Sequence, residues 1–385
     1  MLIRKAFKFR LKTDRVTNRI FDCFAGHCRF LWNKCLRVNL DRLYQKNRIL
    51  RYEELDFWSK QFKRSTEYNF LKECPSQALQ QKLRDLDKAF MDAFDKSQPN
   101  KRLPRFKKKG CDDSFRYPQG FKIRGNQVFL PKIGWLRFSK SQRLVGLPKN
   151  VNISKRAGHW YVSIQTEYQV EVEQHPSSSM VGIDMGINRF ATLSTGEYFE
   201  GKHSFRKHEQ GLCKAQRVLS GRVKFSRNWK KQKSKVQKIH SRIANIRLDY
   251  LHKLSTKLSK SHAILVLEDL KVRNMSASAQ GTQASPGNRV KSKSGLNKSI
   301  LDQGWFEFRR QLMYKQVWRG GEVLLVNPKH TSQRCPESCG HIATENRVSQ
   351  SQFCCVRCGY KNHADVVGAI NVLRAGHARL ACSGN

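Results

Sequence analysis

Three acids lie inside apolar stretches far apart in the chain: Asp184 in "VGIDMGINRF", Glu268 at the end of "AILVLE", and Asp365 in "NHADVVGAINVLR". The stretches read as a strand, a second buried strand and a closing helix whose Ala369, Ile370 and Leu373 face inward. An ionised carboxylate is costly to bury unless a cation or hydrogen-bond donors compensate it. Taken singly, Asp184 could be a turn acid, Glu268 the partner of a basic neighbour, and Asp365 a helix-start acid favoured by the dipole. Taken together, they suit a fold that brings them to one place. Two-metal phosphodiester hydrolysis needs carboxylates converging on cations roughly 4 Å apart. Mg²⁺ takes hard oxygen ligands and keeps waters and substrate phosphate in its shell, so three acids suffice for two such ions.

The acids stand out because the chain has so few. Of 385 residues, 74 are Lys or Arg and 30 are Asp or Glu, a formal charge of +44 spread over most of the sequence. Such a field concentrates polyanions, above all nucleic acid, with an anionic lipid surface as the weaker alternative. No apolar run approaches the ~18 residues of a membrane span. The opening "MLIRKAFKFRLK" lacks the apolar core of a signal peptide, and its Phe7, Phe9 and Leu11 alternate with Lys8 and Arg10 as in an amphipathic strand. Twelve cysteines without a secretory signal point to reduced thiols in a cytosol.

Patterning divides the chain. Residues 14–97 read as helical, with Phe21, Phe24, Cys28, Leu31 and Cys35 on one face. Leu79, Leu83, Leu86, Phe90 and Phe94 stripe a second helix started by Pro75–Ser76. A basic joint, "NKRLPRFKKKG", precedes short strands over 114–168, which suggest a small antiparallel barrel that residues 3–11 could join. "EVEQHPSSSM" reads as a linker. From 181 the pattern is mixed α/β, with two paired strands, a long basic helix ending near 260, the strand "HAILVLEDL", a helix over 302–319 and the strand "EVLLVN". Residues 275–299 are of low complexity and read as mobile.

Five cysteines crowd into residues 335–358, in "RCPESCGH" and "FCCVRCGY". Two pairs about fifteen residues apart, each followed by glycine, suit one tetrahedral, structural Zn²⁺. Cys335 and Cys339 form the first pair. In the second, Cys354 and Cys355 both precede Cys358; Cys355-x-x-Cys358 keeps the tighter turn and is the expected register. The remaining cysteines read as small apolar residues.

The strings "GIDMGINRFATLSTGE", "NWKKQKSKVQKIHSRIANIRLDYLHKLSTKL", "VLEDLKVRNM", "LDQGWFEFRRQL" and "CVRCGYKNHADVVGAINVLR" together resemble TnpB proteins, RNA-guided DNA nucleases of insertion sequences related to type V CRISPR effectors. "IRKAFKFRLK", "PSQALQQKLRDLDKAF" and "PRFKKKG" extend the resemblance over nearly the whole chain. It implies a multidomain α/β protein with an RNase H-like (RuvC) core, in which Asp184, Glu268 and Asp365 match the catalytic Asp, Glu and Asp. The implied layout is a wedge β-barrel over 1–12 and 99–178, a helical recognition domain over 13–98, a RuvC-like domain over 179–330 and 361–385, and a zinc-binding, target-nucleic-acid-binding domain over 331–360. Cys355 also fits the family's register, whereas Cys335-x-x-x-Cys339 is one residue wider than usual. The implied partners are a guide RNA from the transposon end and a target duplex DNA, gripped by a monomer in a prokaryotic cytoplasm.

Lys107, Lys108 and Lys109 of the joint and Lys230 and Lys231 of the long helix are candidate phosphate contacts. Residues 202–260 carry 18 basic residues against two acids, which would repel one another without a polyanion. By resemblance, Tyr52 and Gln80 read a short duplex motif, and Ser76, on the face of Gln80, replaces a longer basic residue of some relatives. A DNA-joining transposase would be expected to end its acid set with Glu rather than Asp365. A nuclease-dead repressor would be expected to lack one of the acids.

Overall fold

The computed structural model describes residues 1–171 and 173–383; Val172 of the expected linker and residues 384–385 of the expected tail lie outside the described residues. The chain divides into two compact units, Met1–Val170 and Glu171–Asn385.

In the first unit, β1 (Leu2–Lys12) leads into α1 (Arg15–Tyr44), α2 (Tyr52–Arg64) and α3 (Ser76–Phe94). The strands β2 (Ser114–Tyr117), β3 (Lys122–Arg124), β4 (Gln127–Leu130), β5 (Gly134–Ser139), β6 (Leu147–Arg156) and β7 (His159–Gln169) follow. Hydrogen bonding runs β2-β6-β7-β1-β5-β4-β3, so the first strand joins the later ones, between β7 and β5. Its alternation fixes the register: Phe7, Phe9 and Leu11 are buried, and the intervening basic residues face away. The inward faces of these strands share one core with the apolar stripes of α1 and α3. Phe94, expected in the α3 stripe, lies in its last turn and is exposed.

The second unit contains β8 (Met180–Asp184), β9 (Arg189–Leu193), β10 (Tyr198–Glu200), α4 (Ser204–Ser220), α5 (Arg227–Ser261), β11 (Ile264–Glu268), α6 (Val272–Met275), α7 (Val290–Gln303), α8 (Trp305–Val317), β12 (Glu322–Val326), β13 (Gln352–Cys354), β14 (Lys361–His363) and α9 (Ala364–Ser383). Two of these helices differ from expectation. Helix α4 packs Phe205, Leu212 and Leu219 on α5, and the Asp302 carboxylate caps it by accepting from Ser204 Oγ (2.9 Å) and the Phe205 amide (3.0 Å). Helix α7 occupies part of the stretch expected to be mobile. It is tied down where Lys293 Nζ donates to Met275 O (2.6 Å), Asn297 Nδ2 donates to Ala277 O (3.0 Å), and Ile300 enters the core.

The sheet order is β10-β9-β8-β11-β12; β8, β11 and β12 are parallel, whereas β9 and β10 run antiparallel to their neighbours. Both faces of its centre are covered, which explains the continuous apolar runs of β8 and β11. Val181, Ile183, Leu265 and Leu267 pack on the α5 and α8 side, and Val266 packs with Val372 of α9 on the other. Helix α9 lies on the sheet at backbone contact. A Cβ at Gly182 would stand 2.2 Å from Ala369 O and 2.6 Å from Leu373 N.

That contact is testable. Neither obstructing atom is a side-chain end that can swing away, so Gly182→Ala must push α9 off the sheet, an overpacking that costs about 1–3 kcal/mol. The variant is expected to melt several degrees below the parent in a thermal denaturation. An unchanged midpoint would mean that the helix does not rest on Gly182.

Candidate active site and cysteine centre

Side chains alternate along a strand, so the face of each residue follows from its neighbours. In β8, Val181 and Ile183 point to the α5–α8 side, which sends Gly182 and Asp184 to the α9 side. In β11, Leu265 and Leu267 likewise send Val266 and Glu268 there. The parallel register pairs Ile183 with Leu267 and puts the two acids level at the carboxyl ends of adjacent strands. Such strand ends are where ligands bind in open α/β sheets. Helix α9 runs the opposite way. Gly376 meets Met180 and Val266, while Gly368 reaches Asp184, so the first turn, with Asp365, arrives at those strand ends. A Cβ at Gly368 would lie only 3.2 Å from Asp184 Oδ2; glycine leaves the carboxylate room.

Asp184, Glu268 and Asp365 thus line one cavity of 490 Å³, with Arg189, Thr331, Arg347 and His363 also in its wall. Burial, followed by the charges of Glu268 and Asp365, pushes the Asp184 carboxyl up to about 8, against the opposing charge of Arg347. Burial also pushes Glu268 up, against a hydrogen bond from Thr331 Oγ1 to its Oε1 (2.6 Å). The other arginine, Arg189, lies over the Tyr198 ring at 4.0 Å. A hard divalent cation fits this donor set: three carboxylates, two of them pushed up, around a cradle that one added methyl would crowd.

The four cysteines form a second centre. The sulfurs of Cys335, Cys339, Cys355 and Cys358 all lie within 4.8 Å of one another. Cys335–Cys358, Cys339–Cys355 and Cys339–Cys358 are 3.6, 3.6 and 3.3 Å apart. Zinc–sulfur bonds of about 2.3 Å require tetrahedral edges of about 3.8 Å, so this group could hold a structural metal. Cys354 stays out of it and donates its amide to Asn346 O (2.8 Å). Among the described residues this is the only such group.

The expected nucleic-acid contacts are dispersed. In the first unit, Tyr52 opens α2 with the Arg84 guanidinium 4.1 Å from its ring centre. Ser76 opens α3 and accepts from Lys63 Nζ (3.1 Å), and Gln80 lies one turn further on, half-buried. Lys107 turns inward, 3.8 Å over the Trp32 ring, and burial pushes it down to about 8; Lys108 and Lys109 are exposed. In the second unit, Lys230 and Lys231 are exposed on α5.

Thr331, Arg347, Gly368 and Asn371 are missing from the set read off the sequence. Glycines inside the apolar elements that carry the acids signal close backbone approach. No comparable pattern marks Thr331, Arg347 or Asn371.

A family profile described as "Probable transposase" of the OrfB_IS605 group matches residues 163–279, and one described as "Cas12f1-like, TNB domain" matches 305–372. A "Helix-turn-helix domain" profile matches 1–48, where the structure has β1 and the single helix α1. The chain is 52% identical to InsQ of Escherichia coli K12, provisionally named an RNA-guided DNA endonuclease, over 98% of this chain and 94% of that one. It is 33% identical to a Streptomyces pristinaespiralis protein with the same provisional description, over 99% and 91%. A solved Cas12f1–sgRNA–target DNA complex shares the fold, with a TM-score of 0.57 at 11% identity over 96% of this chain and 98% of that one. With more than half of its residues shared with InsQ over nearly its full length, the chain belongs to the TnpB family of OrfB-type, IS605-group insertion-sequence proteins.

Proposed function

We propose that this chain is an RNA-guided DNA endonuclease of a transposon that hydrolyses phosphodiesters of duplex DNA beside a short motif, in a RuvC-like site. The observation that carries this reading is the shared cavity of Asp184, Glu268 and Asp365, delivered by two strand ends and a helix start. The strand order, with three parallel strands flanked by an antiparallel pair, supports an RNase H-like core. Family membership and the names of the relatives supply RNA guidance and DNA as target.

The three carboxylates would hold two Mg²⁺ ions, which when bound supply an activated water and neutralise charge on the scissile phosphate. The protein's own part is orientation. Thr331 Oγ1 donates to Glu268 Oε1 and so holds the orientation of that carboxylate. Arg347, in the cavity wall, is placed to meet a phosphate. The four thiolates would hold one structural Zn²⁺. Guide RNA and target duplex would lie on the basic surfaces that include Lys108, Lys109, Lys230 and Lys231, with Tyr52, Ser76 and Gln80 as the motif readers. We assign residues 1–12 and 99–178 to the wedge, 13–98 to recognition, 179–330 and 361–385 to the nuclease, and 331–360 to target binding.

The test is cleavage by the RNA-loaded protein in Mg²⁺. Asp184→Ala, Glu268→Ala and Asp365→Ala should each abolish cutting of a matched duplex while leaving DNA binding nearly intact, and a double variant should be little worse than a single one. Robust cutting by Asp184→Ala would refute the assignment.

Stability of the cation-free protein should carry the same signature. The Asp184 carboxyl lies at about 8 in the folded chain, against an ordinary value of 3.8. Between those values the folded state binds more protons than the unfolded state, so this group's contribution to stability falls as pH rises through that window. Asp184→Asn should flatten the fall and raise the melting temperature at pH 8 by several degrees. Added Mg²⁺ should stabilise the parent more at pH 8 than at pH 5. Parallel pH profiles for the two proteins would contradict a buried, crowded carboxylate.

A further inference from the structure

Behind the cavity wall, a buried polar chain joins α9 to Glu268 through Thr331, which itself lines the cavity. Asn371 of α9 is 5% exposed, and its Nδ2 donates to two backbone carbonyls, Thr331 O (2.8 Å) and Arg334 O (2.7 Å). Two carbonyl acceptors admit only the nitrogen of an amide, so this orientation is fixed by chemistry. Thr331, 9% exposed, directs Oγ1 to Glu268 Oε1 at 2.6 Å, with Pro328 O at 3.0 Å as the competing acceptor. A hydroxyl has one proton. Given to the carboxylate, it fixes the rotamer of a side chain that is itself 8% exposed. Arg334 directly precedes Cys335, so the same amide also holds the chain entering the cysteine centre.

We propose that Thr331 is a positioning residue for the cation site and that Asn371 sets its place. By tethering the 331–334 turn to the helix that carries Asp365, Asn371 makes the positions of Glu268 and Asp365 depend on each other and on the ordered start of the cysteine centre. This inference rests on the reading that the carboxylate cavity holds divalent cations. Partners that orient a metal ligand from behind typically change metal affinity or activity by about 10–100-fold when removed.

The experiment uses the full chain after its nucleic acid has been removed, titrated with Mn²⁺ while free Mn²⁺ is followed by its electron paramagnetic resonance. The parent should bind Mn²⁺, and Asp184→Ala should lose that binding. Thr331→Val, which keeps the shape and removes the hydroxyl, should weaken Mn²⁺ binding about tenfold with no loss of metal from the cysteines, and Thr331→Ser should restore it. Asn371→Ala should weaken it similarly; Asn371→Ser, which retains a single donor, is the second variant should the alanine protein not fold. In RNA-loaded protein, Thr331→Val should lower kcat for cleavage at unchanged KM for DNA. Parent-like Mn²⁺ binding by Thr331→Val, beside lost binding in Asp184→Ala, would overturn the positioning role alone. Parent-like binding by a folded Asn371 variant would overturn the tether. Failure of the parent to bind Mn²⁺, or identical binding by parent and Asp184→Ala, would instead overturn the reading of the cavity on which the inference rests.

Discussion

The close approach of α9 to β8 governs the geometry of the site. A helix normally packs on a sheet through side chains at about 10 Å. Here Gly182 lets the backbone of α9 come within reach of the strand, and Gly368 lets the same helix pass beside the Asp184 carboxylate. Strand alternation then leaves no choice about Asp184 and Glu268, because the residues before them are committed to the opposite core. Three carboxylates from distant segments meet because two strands are in register and one helix is close.

The meeting carries an electrostatic cost. Carboxylates gathered in one partly desolvated cavity disfavour one another's ionisation, and Asp184 is driven up to about 8 by burial and by its two neighbours. Elsewhere the chain has the reverse problem, with many lysines and arginines and few acids to pair with them. On the proposed reading, each tension would have its own ligand: a phosphate backbone would neutralise the basic surface, and divalent cations held by the carboxylates would relieve the cavity. A metal at the cysteine centre would add a separate source of order, since its sulfurs are drawn from two turns with little regular structure of their own.

Much of this can be read from residues alone, for physical reasons. The acids are conspicuous because each interrupts an apolar run, and the first strand because Phe7, Phe9 and Leu11 alternate with basic residues. The cysteine pairs announce themselves by spacing, and the structure gathers Cys355 rather than Cys354 with the other three. Helices α4 and α7 are harder to see. Their apolar residues are few, and each depends on a tertiary contact, Asp302 on the α4 amides or Lys293 on Met275 O, that no local pattern encodes. Thr331 and Asn371 are invisible for the same reason. A threonine in a loop and an asparagine in a helix acquire meaning only when a distant carboxylate or carbonyl is brought against them. Lys107 shows the same limit: its sequence context reads as free charge, and only the fold lays it over Trp32.

Guidance is a stronger claim than hydrolysis, since a protein of formal charge +44 will bind any polyanion. In delegated recognition, base pairing supplies the sequence, and the protein supplies grip, a short duplex motif and the scissile chemistry. The most direct measurement is therefore cleavage of matched and mismatched duplexes by the purified protein before and after its RNA is removed and replaced with a guide of chosen sequence. Guidance requires cutting only opposite the chosen guide and beside a suitable motif, with mismatches near the motif abolishing it and distal ones tolerated better. Equal cutting of matched and unmatched duplexes by the RNA-free protein would contradict guidance and leave a non-specific metal-dependent nuclease.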